Sequence, residues 1–409
     1  MGVRKIAFYS HDAQGLGHIR RNLQLAQRLI AADPELDVLL ICASREVAHF
    51  QIPRGIDTLV LPGIRKLNSG AYVPRTSNQS LADTLRLRAG VIRAALCEFR
   101  PDLFVVDKHP FGFQGELRSS LEALHTASST LVLGLRDIMD DPWVAQSEWQ
   151  KAEGSLALNA FYDEVWVYGD RTIFDPTEAL NLPESQRRKL FFTGYLNPLD
   201  SLVAREQPQQ SIRCNDTLLD RQYCLCLLGG GQDGFEVAEA FAQADFGEAR
   251  CGVIVLGPFM EPAARKRIKQ MSASRQDLYV RDVVPSIVPL LEHAQRVVSL
   301  GGYNTVCEIL SLGIPALIVP RVRPRIEQLI RAELMQRCGL IDLLHPDRLT
   351  PEAMSRWLNS PLPPRNSASV RLDFNGYQRV VQRVTSLLHD HSPQVPQVQA
   401  QGHPLPQMR

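Results

Sequence analysis

No run of the sequence approaches the length of a membrane-spanning helix, so none is expected to cross a bilayer. The opening segment Met1–Ser10 is too short in apolar residues for a signal-peptide core, because His11 and Asp12 follow at once. Charge of one sign is missing as well. The 45 Lys and Arg stand against 44 Asp and Glu, a formal net charge of +1, so composition nominates no nucleic acid or other polyanion as partner. The eight cysteines are scattered. The closest pair, Cys224 and Cys226, would share one side of a strand with no second pair to complete a zinc site, so no metal is expected and the thiols read as reduced and cytoplasmic. Repeats of solenoid type are also absent. What the chain does have is 409 residues, 44% hydrophobic and 22% charged, an ordinary soluble composition spread over more length than one core usually organises. Two domains are the expectation, residues 1–200 and 221–390, with a Gln-, Pro- and Ser-rich linker at 201–220 and a disordered tail at 391–409.

Periodicity supports the division. Lys5 to Tyr9 reads as a buried strand and Ile19 to Ala31 as an amphipathic helix, with glycines between them. Further strands are expected at Val38 to Cys42, Leu59 to Pro62, Leu103 to Asp107, Thr130 to Leu135 and Glu164 to Tyr168, with a long helix over Leu81 to Phe99. After the linker the pattern starts again, with a strand at Tyr223 to Leu228, a glycine loop and a helix at Phe235 to Gln243. Strands at Gly252 to Leu256, Leu278 to Val280, Arg296 to Ser299 and Ala316 to Val319 extend it. This alternation predicts an α/β protein of two Rossmann-like, doubly wound parallel sheets, whose ligands gather at the carboxyl ends of the strands.

Three segments carry candidate chemistry. The first, Gly15-Leu16-Gly17-His18, sits where the first strand hands over to its helix. Its glycines permit a tight turn, and His18 is suited by its near-neutral pKa to take a proton from a hydroxyl or water; capping the helix is the competing reading. The second, Gly229-Gly230-Gly231, opens the second sheet and leaves room for a diphosphate or for the partner domain. The third runs from Gly301-Gly302 through Asn304-Thr305 and Glu308 to Glu327-Gln328. There a helix start can hold a pyrophosphate, Glu308 one turn in can accept from a vicinal diol such as ribose, and Glu327 and Gln328 can read sugar hydroxyls. Asp107, His109, Arg136 and Asp137 lie at strand ends of the first sheet and, with Gly15 and Gly17 of the first loop, are acceptor-side candidates; for the charged ones, loop-bracing ion pairs are the alternative. Arg321, Arg323 and Arg325 form a basic loop that could attract phosphates. Arg86, Arg88 and Arg93 lie among apolar residues of one helix and could touch a membrane surface, although a core helix with a wet face has the same pattern.

The stretch from Val280 to Leu340 resembles the donor-binding region of GT-B glycosyltransferases, nearest in pattern to the lipid-linked N-acetylglucosaminyl transferases of peptidoglycan synthesis and a related group of bacterial transferases. The Gly-x-Gly-His turn and the Gly229 loop match that family too. The resemblance implies two domains facing a cleft, with the last helix packing back on the first domain. It implies a nucleotide-diphosphate sugar, UDP-linked, as co-substrate, with no further cofactor. Glu308 would then bind the ribose, Gly302 to Thr305 the diphosphate, Gln328 and Glu327 the sugar, the backbone near Val284 the base, and His18 would stand near an acceptor hydroxyl. Inverting transfer without a metal is the implied chemistry; hydrolysis or epimerisation of the nucleotide sugar, and a non-catalytic binding subunit, are the alternatives. The sequence departs from the family pattern, which has two amides in place of Glu327 and Gln328 and a Ser in place of Gly301, so the donor sugar can differ from N-acetylglucosamine.

Overall fold

Short, mostly apolar runs assemble into two all-parallel sheets. A computed structural model describes residues 3–11, 17–67, 71–197, 221–247, 250–284, 286–361 and 372–390. Gly15, the expected linker at 201–220 and the tail at 391–409 lie outside the described residues.

In the first half the strands are β1 (Lys5–Tyr9), β2 (Asp37–Cys42), β3 (Ile56–Val60), a short antiparallel ribbon of β4 (Ile64–Lys66) and β5 (Tyr72–Pro74), then β6 (Leu103–Asp107), β7 (Thr130–Arg136), β8 (Glu164–Tyr168) and β9 (Leu190–Phe192). Seven of them form a sheet in the order β3-β2-β1-β6-β7-β8-β9. The second half supplies β10 (Gln222–Leu227), β11 (Arg250–Val255), β12 (Leu278–Arg281), β13 (Ala294–Ser299), β14 (Ala316–Ile318) and β15 (Asp342–Leu343), in the order β12-β11-β10-β13-β14-β15. Helices cover both faces of each sheet, so strands such as β6 and β8 are buried along their whole length. Those that position the site are α1 (Gly17–Ala32), α2 (Leu81–Phe99), α3 (Pro142–Lys151), α4 (Phe235–Gln243), α5 (Tyr303–Ser311), α6 (Glu327–Arg337) and α7 (Gly376–Asp390).

Strand order reverses beside β1 in one sheet and beside β10 in the other. At each reversal two neighbouring loops diverge to opposite faces and leave a crevice at the carboxyl edge. The loops after β1 and β6 bound one crevice, and those after β10 and β13 bound the other. One apolar cluster joins the two halves, running from Phe8 and Tyr168 through Tyr195 to Tyr303 and Leu225. The last helix, α7, packs on α1, where the Tyr377 hydroxyl donates to Gln24 at 2.7 Å and Arg383 pairs with Glu164.

The third strand lies earlier than the apolar run Leu59 to Pro62 suggests. It pairs with β2 from Val38 opposite Ile56 to Cys42 opposite Val60. As an edge strand it exposes Asp57 and Thr58, so hydropathy misses its first half. The short strands β9 and β15, also at sheet edges, carry no periodic signal long enough to read. On α2 the structure takes Arg88 out of any basic surface. Its guanidinium is buried and bidentate on Glu116 at 2.6 Å, with a third bond to the Pro62 carbonyl, while the exposed Arg86 pairs with Asp83. No described helix is long and apolar enough to cross a membrane.

Candidate active site

Register brings the first cluster together. Tyr9 lies opposite Val106 in the β1–β6 pair, so the start of α1 falls beside the end of β6. His18, in the first turn of α1, and Asp107, the last residue of β6, are both buried, with His18 Nδ1 2.8 Å from Asp107 Oδ2. From the end of β7, Arg136 Nη2 donates to His18 Nε2 at 2.6 Å. An accepting Nε2 leaves the ring proton on Nδ1, where it is donated to the carboxylate. Arg21, one turn further along α1, donates to both Asp107 oxygens at 2.6 Å. Burial alone would raise the Asp107 carboxyl, but Arg21 and His18 hold it well below the usual carboxylate range. Burial pushes the His18 imidazole down to about 4, against the pull of Asp107 and with the help of Arg136. The result is a neutral imidazole oriented by a carboxylate, the arrangement of a general base.

Across the cleft a cavity of about 350 Å³ is lined by Gly229, Gly230, Val284, Gly302, Asn304 and Thr305 from the second half and by Gly17, Arg20 and Arg136 from the first. The glycines differ in what they do. Gly231 has φ +84° and a Cβ there would come within 2.1 Å of the Leu256 carbonyl oxygen, so it shapes the loop from behind. Gly301, at φ +82°, would press on Ile318, whereas a Cβ on Gly302 meets nothing within 4 Å among the described residues. Gly302 caps α5 without a side-chain hydrogen bond, so no capping side chain occupies the first-turn N–H groups of that helix among the described residues. Asn304 reaches over to donate to the Gly17 carbonyl at 3.3 Å.

One turn into α5, Glu308 is buried. Its Oε1 accepts from Arg20 at 2.7 Å while Oε2 has no partner, and burial raises its carboxyl against the pull of Arg20. At the start of α6, Glu327 accepts from Arg321 at 2.5 Å and keeps a buried, unpartnered Oε2. Gln328 Oε1 accepts from the Arg321 N–H at 3.0 Å. The expected basic loop is therefore largely neutralised, since Arg321 also meets Asp233 and Arg325 pairs with Asp140 and Glu148.

A second cavity of about 480 Å³ opens on the first half, with Tyr72, Lys108, His109, Phe113, Trp149 and Arg325 in its walls. Burial pushes the Lys108 ammonium down to about 8 and holds His11 and His109 well below their ordinary values. The rings of His18, His11 and His109 follow one another at centroid distances of 5.2 and 4.5 Å, linking the buried base to this cavity.

Of the six acceptor-side candidates, Gly15 lies outside the described residues, Gly17 lines the first cavity and only His109 lines the second. Asp107 lies beneath His18, Arg136 lines the other cavity, and Asp137 is buried in a bidentate pair with Arg331 at 2.7 and 3.0 Å. Arg20, Arg21 and Arg331 also belong to the site, without an expected role in the sequence. A signal existed for Arg21, because positions i and i+3 share a helix face and His18 is three residues before it. None existed for Arg331, whose partner is far away in sequence.

Two parallel sheets meeting at a cleft, with glycine loops and a helix N-terminus on one wall and a His–Asp pair on the other, make up the GT-B fold. The chain is a relative of glycosyltransferases: an uncharacterized glycosyltransferase of Methanosarcina acetivorans is 23% identical over 324 residues, covering 75% of this chain and 77% of the relative. A UDP-N-acetylglucosamine–N-acetylmuramyl-(pentapeptide) pyrophosphoryl-undecaprenol N-acetylglucosamine transferase of Limosilactobacillus fermentum is 23% identical over 370 residues, covering 87% and 88%. Among solved structures, the calicheamicin glycosyltransferase CalG4 superposes with a TM-score of 0.60 at 18% identity over 96% of this chain and 100% of its own. A UDP-GlcNAc 2-epimerase of Neisseria meningitidis bound to UDP-GlcNAc gives 0.58 at 14% identity over 94% and 99%. These likenesses to solved structures establish the fold. No protein-family model matches the chain. The resemblance read from Val280 to Leu340 is borne out at the level of the class.

Proposed function

We propose that the protein transfers a hexosyl group from a nucleoside-diphosphate sugar, UDP-linked, to a hydroxyl acceptor, with inversion at the anomeric carbon and no metal. The observation that carries this reading is the His18–Asp107 pair, a neutral base that follows Gly17 and is hydrogen-bonded to Arg136, two residues of the wall of the cavity that the glycine loops and the α5 N-terminus line. The ribose diol takes the free Glu308 oxygen, the diphosphate lies on the N–H groups of Gly302 to Thr305, and Val284 packs beside the base. Glu327 and Gln328 face the sugar. The acceptor enters through the second cavity, past His109 and His11. As its oxygen bonds to the anomeric carbon, its proton passes to His18 Nε2 and the bond to the phosphate oxygen breaks, leaving its electron pair on the nucleoside diphosphate. The helix N-terminus and the arginines nearby supply the positive potential that receives that charge. Nucleotide-sugar epimerases share the fold, so the products separate the readings: a glycoside formed only with an acceptor supports transfer, a free sugar hydrolysis, an isomerised nucleotide sugar epimerisation.

The deciding test is thermal stabilisation by a panel of nucleoside diphosphates and their sugars, wild type against Glu308→Ala. Stabilisation by one nucleoside series, lost in the variant, supports the donor site and names the base. A folded wild type that responds to none of them overturns the proposal.

A further inference from the structure

We propose that Arg136 is a donor-sensing positioning residue: without donor its guanidinium covers the basic nitrogen of His18, and a bound diphosphate draws it off and uncovers the base. The inference rests on the donor and base assignments above and adds a coupling between them. Arg136 Nη2 stands 2.6 Å from His18 Nε2, the one ring nitrogen that can accept a proton from substrate. An acceptor hydroxyl cannot use that lone pair while the guanidinium holds it. The same side chain lines the donor cavity together with the Gly302 to Thr305 helix start, so one small rotation separates its two partners.

Among the described residues, Arg136 is also a cation without a dedicated anion. Arg21, Arg331 and Arg325 each hold a carboxylate, whereas Arg136 makes its hydrogen bond to a neutral imidazole, and its buried Nε has no partner. Burial pushes its guanidinium down to about 10, the sign of a charge short of compensation. A diphosphate in the adjacent cavity supplies that compensation in a bidentate, charge-assisted form that an imidazole cannot match. The exchange orders the reaction, because the base becomes available only after the donor is in place, and an empty enzyme holds its base masked.

The test combines binding with a direct view of His18. UDP and uridine are titrated calorimetrically into wild type, Arg136→Lys and Arg136→Met, with melting curves confirming that each is folded. In wild type and Arg136→Met, histidine-selective ¹⁵N spectra follow the His18 ring with and without UDP. The expected result is UDP binding about ten- to a hundredfold weaker in Arg136→Met, intermediate in Arg136→Lys, and uridine binding unchanged. UDP should shift the wild-type His18 Nε2 resonance toward that of a ring without a donor, a position the free Arg136→Met protein already shows. Equal losses for UDP and uridine, or a His18 signal indifferent to UDP, overturn the coupling and leave the donor site standing. A folded wild type that binds neither ligand overturns the UDP-linked donor assignment and this inference with it.

Discussion

Arg20 Nη2 donates to Glu308 Oε1 at 2.7 Å across the cleft, so the carboxylate expected to hold a ribose is already engaged by a guanidinium of the opposite half. Ribose binding must therefore displace or share an ion pair. Arg20 keeps 30% of its side-chain surface while Glu308 keeps 1%, so the guanidinium can swing out to solvent but the carboxylate cannot. Arg20→Met should bind uridine about two- to fivefold more tightly than wild type, while its melting temperature falls because a buried carboxylate has lost its cation. Calorimetry and a melting curve check both. Weaker uridine binding would show that Arg20 assists the ribose instead of competing with it.

His18→Asn removes the proposed base but keeps a side chain of similar reach. Turnover should fall about 10²- to 10⁴-fold with UDP affinity nearly unchanged. Initial rates with a saturating UDP-sugar, set beside calorimetric binding, separate the two effects. A variant that retains wild-type turnover removes His18 from the chemistry.

Stability should decline on the acid side. Histidines of the unfolded chain titrate near 6.5, and folded His18 near 4, so between these values the unfolded chain holds more protons. The stability contributed by a neutral His18 is complete above about 6.5 and is lost as pH falls through that window, about 3 kcal/mol in all. The charges facing the ring are Asp107 of β6, Arg136 of β7 and Arg21 of its own helix, with His11 and His109 beside it. His11 and His109 are also held low, so they add to the same slope. Melting temperatures measured from pH 7.5 to 4.5 should fall less steeply in a His11→Gln/His109→Gln variant than in wild type.

The Asp137–Arg331 pair ties β7 to α6 with both side chains almost wholly buried. Asp137→Asn leaves the Arg331 charge without its anion and should cost about 3–5 kcal/mol. Urea unfolding measures the loss, and solution scattering should show the two halves less tightly closed. A loss below about 1 kcal/mol would mean that the apolar cluster through Tyr195 and Tyr303 holds the cleft without the ion pair.

The glycine loops give a contrast between two neighbours in function. Gly231→Ala forces a Cβ onto the Leu256 carbonyl at positive φ and should destabilise the fold by at least about 2 kcal/mol. Gly302→Ala meets no atom within 4 Å among the described residues, so the chain should fold nearly as wild type while the added methyl beside the cavity weakens UDP binding. Melting curves and calorimetry on the two variants decide this.

Much of the architecture was legible because parallel strands buried on both faces must be apolar along their length, so Leu103 to Asp107 and Glu164 to Tyr168 announce themselves and the glycines after Tyr9 and Leu228 mark the turns. Helix starts are local too, which is why Asn304, Thr305 and Glu308 could be placed one turn apart on α5 from spacing alone. The edge strands were not legible, since half-exposed backbone tolerates Asp57 and Thr58. Nor were the partners of the charged residues, because a hydrogen bond depends on distance in space and leaves no period in the chain. The sequence by itself determined two sheets, glycine turns at the carboxyl ends of their first strands and a histidine in the first turn of α1. Only the tertiary structure decided that Asp107 orients that histidine, that Arg136 covers it, and that Asp137 joins the halves. Those choices depend on which loops two separate strand reversals bring face to face.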